Sequence, residues 1–123
     1  MPEQTFHERR VLVAEDEFLL AKDLRLALTD RGANVIGPAA SLAKVMDLIQ
    51  AEARIDGAIL DVNLRGETVY AAADLLRERG IPFLFTTGYD LSSLPERFRD
   101  VVRCEKPVDP GVVLGALNGL LSA

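Results

Sequence analysis

Residues 10–32 read RVLVAEDEFLLAKDLRLALTDRG. The opening RVLVAE (10–15) is a short Val-rich run, the composition of a strand buried on both faces. From Phe18 the period changes. Leu20, Leu24, Ala27 and Leu28 share one helical face, and Gly32 stands where a helix C-cap belongs. A buried strand running into an amphipathic helix is the unit from which parallel α/β sheets are built. Three carboxylates, Glu15, Asp16 and Glu17, occupy the junction between the two.

The unit recurs along the chain. NVIGPA (34–39) reads as a second, weaker strand, and Ser41 can cap a helix over 42–53 with Leu42, Val45, Leu48 and Ile49 inward. DGAILDV (56–62) is a third strand, uncharged until Asp61, and after a loop VYAAADLLRERG (69–80) is a helix closed by Gly80. PFLFTT (82–87) and VVRCE (101–105) are strands four and five, and Asp109-Pro110 starts a last helix over 110–121. The weak place is GYDLSSLPERFRD (88–100), where Gly88, paired serines and Pro95 argue against a long fourth helix, although Ser93 could cap a short one near Pro95. Regular β-α alternation predicts a parallel sheet with helices on both faces.

Bulk properties narrow the classes. A length of 123 residues fits one compact domain, preceded by a polar lead-in over 1–9 in which His7 is a solvated residue. A net charge of −5 argues against nucleic acid as a partner, which needs a clustered basic surface. No apolar run has membrane-spanning length and MPEQTFHERR has no signal-peptide core, so a cytoplasmic protein is expected. Cys104 is the lone cysteine, read as a buried, inert thiol.

Ligands of open α/β sheets bind beyond the carboxyl ends of the strands. There the sequence places Glu15, Asp16 and Glu17 after strand 1, Asp61 after strand 3, Thr86 and Thr87 at the end of strand 4, and Glu105-Lys106-Pro107 after strand 5. Taken singly, each has an ordinary reading as a solvated boundary or a turn residue; the conjunction carries the specificity. Close carboxylates repel by about 4 kcal/mol per pair at an effective dielectric near 20. A hard divalent cation removes that cost, and oxygen ligands with open water positions suit Mg²⁺. A cation held by Asp16 and Asp61 could also hold phosphate oxygens. A carboxylate can attack phosphorus to give an aspartyl-phosphate, with Lys106 neutralising one phosphoryl oxygen and Thr87 donating a hydrogen bond to another.

VLVAEDE, AILDVNLRGE, FTTG and EKPV, in that order and covering essentially the whole chain, resemble the receiver domain of two-component response regulators. The resemblance implies a flavodoxin-like (CheY-like) fold, a five-stranded parallel sheet in order 2-1-3-4-5 between helical layers. It implies that Asp61 accepts a phosphoryl group from a phosphohistidine on a sensor kinase or phosphotransfer protein. It makes Asp16 the chief ligand of Mg²⁺ (or Mn²⁺), Glu15 the second acidic position, and the Asn63 backbone carbonyl the remaining protein ligand. Thr87 and Lys106 become the switch hydroxyl and the lysine of the family. Asn63 and Tyr89 flank the site and tune the phosphoryl lifetime. Such a protein is a switch and not a turnover enzyme.

Two departures matter. Arg103 stands three positions before the lysine, where receivers usually carry an aromatic, so switching is expected to run through TTGYD (86–90). PFLFTTGYD (82–90) resembles the motif of the FATGUY subclass, with Thr86 in place of alanine, which implies a kinase of the HWE or HisKA-2 type. The chain shows no output domain, so a stand-alone receiver that signals by binding, or acts as a phosphate shuttle or sink, is expected.

Partner surfaces are predicted on the last helix, where Gly111, Gly115 and Gly119 leave a smooth uncharged face for a partner or a second copy of the chain. A kinase-docking patch is predicted from Leu19 and Leu26 with the loop at Pro107. The competing class is a Mg²⁺-dependent phosphohydrolase using an aspartyl-phosphate. Its usual second aspartate, two residues after the nucleophile, is Asn63 here. A nucleotide or flavin binder on the same fold would need a glycine-rich phosphate loop, and AEDEFLL (14–20) is acidic instead.

Overall fold

A computed structural model describes residues 5–88 and 94–122. The expectations placed on Tyr89, on Ser93 and on the second half of TTGYD fall outside the described residues. The elements run β1 (Arg10–Ala14), α1 (Phe18–Asp30), β2 (Asn34–Ala39), α2 (Leu42–Ala51), β3 (Gly57–Asp61), β4 (Asn63–Leu64), β5 (Glu67–Thr68), α3 (Tyr70–Glu78), β6 (Phe83–Thr87), a 3₁₀ turn (Glu96–Phe98), β7 (Arg103–Glu105) and α4 (Pro110–Leu121). The main sheet is parallel with order β2-β1-β3-β6-β7, the expected 2-1-3-4-5 arrangement.

Side chains alternate across the sheet with period two, which splits the core into two layers. Leu12, Ala58, Leu60, Phe83 and Phe85 face α2 and α3. Val11, Val13, Ile59 and Leu84 face α1 and α4. β3 and β6 are buried at every position, as strands covered on both faces must be. The helix signals act where they stand: Ser41 Oγ accepts from Lys44 N–H at 3.3 Å, Asp109 caps α4 through Gly111 N–H at 2.9 Å, and Gly32, at φ 92°, follows the end of α1.

Four local readings change. Residues 1–9 are not wholly a polar lead-in, because Phe6 is 1% exposed in the α1/α4 layer. Its N–H donates to Arg31 O at 3.0 Å and Glu8 N–H to Gly32 O at 2.9 Å, which holds the ring over the sheet. Burying one such ring stabilises the fold by about 1.5–3 kcal/mol. On α1, Ala21 joins Leu24 and Leu28 as buried, while Leu20 and Ala27 are half-buried. Cys104 is half-buried, and burial raises its thiol pKa. Strand five begins at Arg103, two residues later than its apolar run.

An additional element follows β3. NLRGET folds as an antiparallel hairpin, Asn63 opposite Thr68 and Leu64 opposite Glu67. Both turn residues have positive φ, Arg65 at 53° and Gly66 at 89°, the type I′ pattern that matches strand twist. Between β6 and β7 the described residues hold only the 3₁₀ turn in place of a fourth long helix. Phe98 from that turn is fully buried among Tyr70, Phe83 and Phe85.

Candidate functional site

Strand order reverses between β1 and β3, so the crevice beyond their carboxyl ends is the place where such sheets bind ligands. Glu15 leaves β1 with its N–H donating to Ala39 O at 3.0 Å, and its side chain turns into the crevice. Asp61 is the last residue of β3, and Thr87 the last of β6. Parallel pairing sets Asp61 beside Thr86, and Val62 N–H donates to Thr86 O at 3.0 Å. Lys106 is fixed by its N–H donating to Thr87 O at 2.8 Å, which continues the β6·β7 pairing past the strand ends.

The side chains converge. Carboxylate oxygens of Glu15, Asp16 and Asp61 lie within 4.8 Å of one another, Glu15 and Asp61 buried and Asp16 half-buried. Lys106 Nζ donates to Asp61 Oδ2 at 2.8 Å, to Glu15 Oε2 at 3.0 Å and to Glu17 Oε2 at 2.5 Å. An ammonium carries three protons, so all three are taken. Backbone amides hold the acids in place: Glu17 N–H on Glu15 Oε2 at 2.9 Å, Asn63 N–H on Asp61 Oδ1 at 3.1 Å, and Arg65 N–H on Asp16 Oδ2 at 2.9 Å. The hairpin therefore brings its turn to Asp16, and Gly66 N–H on Asn63 Oδ1 at 2.8 Å closes it.

The titration pattern follows from this crowding. Burial raises Glu15 to about 7, with the nearby Asp61 charge adding to the effect. Burial also raises Asp61, opposed by hydrogen bonds from Lys106 and the Asn63 amide. Burial alone would lower Lys106, but its bonds to Asp61, Glu17 and Glu15 outweigh that and raise it, so it stays charged.

The donor set suits a hard cation. It consists of oxygens, and Glu15 Oε1 is buried with no hydrogen-bond partner among the described residues. Glu15, Asp16 and Asp61 could hold Mg²⁺, which would cancel the mutual repulsion that Lys106 and the backbone amides otherwise offset. An open cleft of about 390 Å³ lies over the cluster, lined by Asp16, Glu17, Asp61, Asn63, Gly88 and Lys106. A second cleft of about 400 Å³ runs from Glu15 and Asp16 past Phe18, Lys22, Arg25 and Arg65.

The other sequence-predicted residues lie outside this cluster. Leu19 and Leu26 are 72% and 48% exposed on α1, and Pro107 is exposed beside Lys106. Gly111, Gly115 and Gly119 are exposed on α4. Arg103 turns away from the site, its Nη1 donating to Arg99 O at 3.1 Å. Thr86 is fully buried, and its hydroxyl has no hydrogen-bond partner among the described residues. Sequence reasoning missed three features. Glu17 reaches Lys106, a role its place as the third consecutive carboxylate could have suggested. Phe18 is 77% exposed at the start of α1. The hairpin turn at Arg65-Gly66 was readable only as a two-residue turn signal.

No family model matches the chain. Among curated proteins it is 33% identical over 93 residues to the transcriptional regulatory protein PdtaR of Mycobacterium tuberculosis, a match covering 75% of this chain and 45% of PdtaR. The chain thus spans less than half of that curated relative. A response regulator receiver protein from Sinorhizobium medicae WSM419 superimposes with a TM-score of 0.80 at 27% identity, covering 94% of this chain and 96% of the other. SdrG from Sphingomonas melonis Fr1 is 33% identical with a TM-score of 0.79, covering 94% of this chain and 98% of SdrG. The BeF₃-activated conformation of SdrG is matched at 35% identity and a TM-score of 0.72, over 98% of this chain and 99% of SdrG. With this sheet order, and with near-complete coverage of relatives at this identity, the chain belongs to the CheY-like receiver domains of response regulators.

Proposed function

We propose that this receiver takes a phosphoryl group onto Asp61 from a histidine kinase or phosphotransfer protein, with Mg²⁺ (or Mn²⁺) held by Asp16, Asp61 and the Asn63 carbonyl and with Glu15 as the supporting acid. The observation that carries the reading is the convergence of buried Asp61 with Glu15, Asp16 and Lys106, with Asp61, Asp16 and Lys106 lining one open cleft. In this reading Lys106, bonded to Asp61, moves from carboxylate to phosphoryl oxygen, and Thr87 ends the strand beside it. The bound cation supplies charge neutralisation for the transfer. The protein works as a switch without turnover, in the cytoplasm; among the described residues no helix is long and apolar enough to cross a membrane.

PFLFTTGYD (82–90) and the lack of a long fourth helix among the described residues support a FATGUY-type receiver, served by an HWE or HisKA-2 kinase. The exposed Leu19 and Leu26, with Pro107, form the kinase-facing patch. The uncharged α4 face at Gly111, Gly115 and Gly119 meets the downstream partner or a second copy. The phosphohydrolase alternative is not favoured: the residue two beyond Asp61 is Asn63, whose Oδ1 is spent on closing the hairpin.

The test is a titration with Mg²⁺ and acetyl phosphate or beryllofluoride, followed by mass and by NMR. A stable adduct in the wild-type chain that is absent in Asp61→Asn is expected. Sustained hydrolysis of phosphate esters, or an adduct that survives Asp61→Asn, would overturn the assignment.

A further inference from the structure

Lys106 has three protons to donate and three carboxylates holding them. A phosphoryl group on Asp61 replaces that carboxylate as an acceptor, and to follow the phosphoryl oxygen the ammonium must pull against the two acids that still hold it, Glu15 and Glu17. Glu15 is buried and tied twice through Oε2, by Lys106 and by the Glu17 amide. Asp61 is the group being modified. Glu17 differs from both. Its side chain is 60% exposed, its oxygens are not part of the three-acid cluster, and it lines the open cleft. It is also the N-cap residue of α1 without a side-chain capping bond, so the helix makes no demand on its carboxylate.

We infer that Glu17 is a positioning residue that sets the strength of the switch. It holds Lys106 in the resting arrangement and competes with the phosphoryl group for the ammonium. The inference rests on the reading of Asp61 as phosphoacceptor and adds the group that opposes it. Release of Glu17 costs one partly exposed ion pair, which bounds the effect at modest size.

The experiment uses the whole chain with saturating Mg²⁺ and beryllofluoride, reading apparent affinity by NMR, in the wild type, Glu17→Ala and Glu17→Asp. Glu17→Asp keeps the charge but shortens its reach toward Nζ by one methylene. Both variants should bind beryllofluoride about 1.5- to fivefold more tightly, the range of a partly exposed ion pair. In metal-free protein both should also shift the Lys106 ammonium ¹⁵N resonance, a readout independent of any adduct. Wild-type affinity in Glu17→Asp with a gain only in Glu17→Ala would mean general charge repulsion and overturn the inference. So would unchanged affinity in both. If the wild type forms no adduct at all, the phosphoacceptor reading fails and this one with it; a wild type that binds beside unchanged variants removes only the competition.

Discussion

Lys106 Nζ lies 2.8 Å from Asp61 Oδ2, although 45 positions separate them in the chain. The ammonium is the cation that balances the buried end of the sheet. Lys106→Met should therefore lower metal-free stability by about 3 kcal/mol, the scale for breaking a buried ion pair from one side. Excess Mg²⁺ should restore most of the loss, since a cation among the three acids replaces the missing charge. Thermal unfolding with and without Mg²⁺ reads both effects; an unchanged melting temperature without metal would show that the ammonium is dispensable.

Phe98 is fully buried and stacks on Tyr70 with ring centroids 5.5 Å apart. The guanidinium of Arg97 also lies 4.5 Å from the Phe98 ring, and Arg97 grips Asp74 with two bonds of 3.0 Å. This cluster ties the 3₁₀ turn to α3. Phe98→Ala should cost about 3–5 kcal/mol. Amide exchange should accelerate first around residues 95–101. A loss under 1 kcal/mol in urea titration, or uniform acceleration across the sheet, would contradict the anchoring role.

Gly37 sits in β2 at φ +96°, beside the register shift in the β1·β2 pairing. A Cβ there would meet Ala39 N at 2.8 Å and Val13 O at 3.0 Å, both backbone atoms that cannot swing aside. Gly37→Ala should destabilise by about 2–4 kcal/mol through strain and crowding together. A melting temperature equal to wild type would show that β2 can take another path.

Asp56 Oδ2 accepts from Arg10 N–H at 2.8 Å and pairs with Arg54 at 3.0 Å, locking the start of β3 to β1. Burial opposes its charge, but these bonds prevail and hold its pKa below the ordinary value. For an acid with a depressed folded pKa, the stabilisation is present above the unfolded pKa near 3.9 and disappears as pH falls through the folded one. Asp56→Asn should lose about 1–2 kcal/mol at pH 7, the worth of a charge-assisted hydrogen bond, with the gap from wild type closing below about pH 4. A gap constant from acid to neutral pH would rule out the charge as its source.

On α4, nothing lies within 4 Å of a Cβ built on Gly115. Gly115→Arg should therefore leave the fold intact and raise helix stability by about 0.5–1 kcal/mol, since glycine is a poor helix former. The same variant should weaken self-association or partner binding through the uncharged face while leaving Asp61 modification unchanged. Sedimentation and partner titration showing no loss would remove that face from consideration.

The alternation of apolar runs and amphipathic stretches determined the layered α/β class, the place of nine of the elements and the weakness between β6 and β7, because buried strands and one-sided helices carry their period in local composition. It also set which residue types stand at the carboxyl ends of the strands. What local pattern cannot carry is who meets whom. Phe6 looked like part of a polar lead-in until the carbonyls of Arg31 and Gly32, just past α1, accepted from the Phe6 and Glu8 amides and held the ring over the sheet. NLRGET looked like a loop because a two-residue strand has no period to read. Glu17 was one acid in a row of three; the arrival of Lys106, just past β7 and 89 positions away, gave it a partner. Long-range electrostatics depends on distance in space, and parallel pairing beyond the ends of β1, β3, β6 and β7 is what turns those residue types into one site.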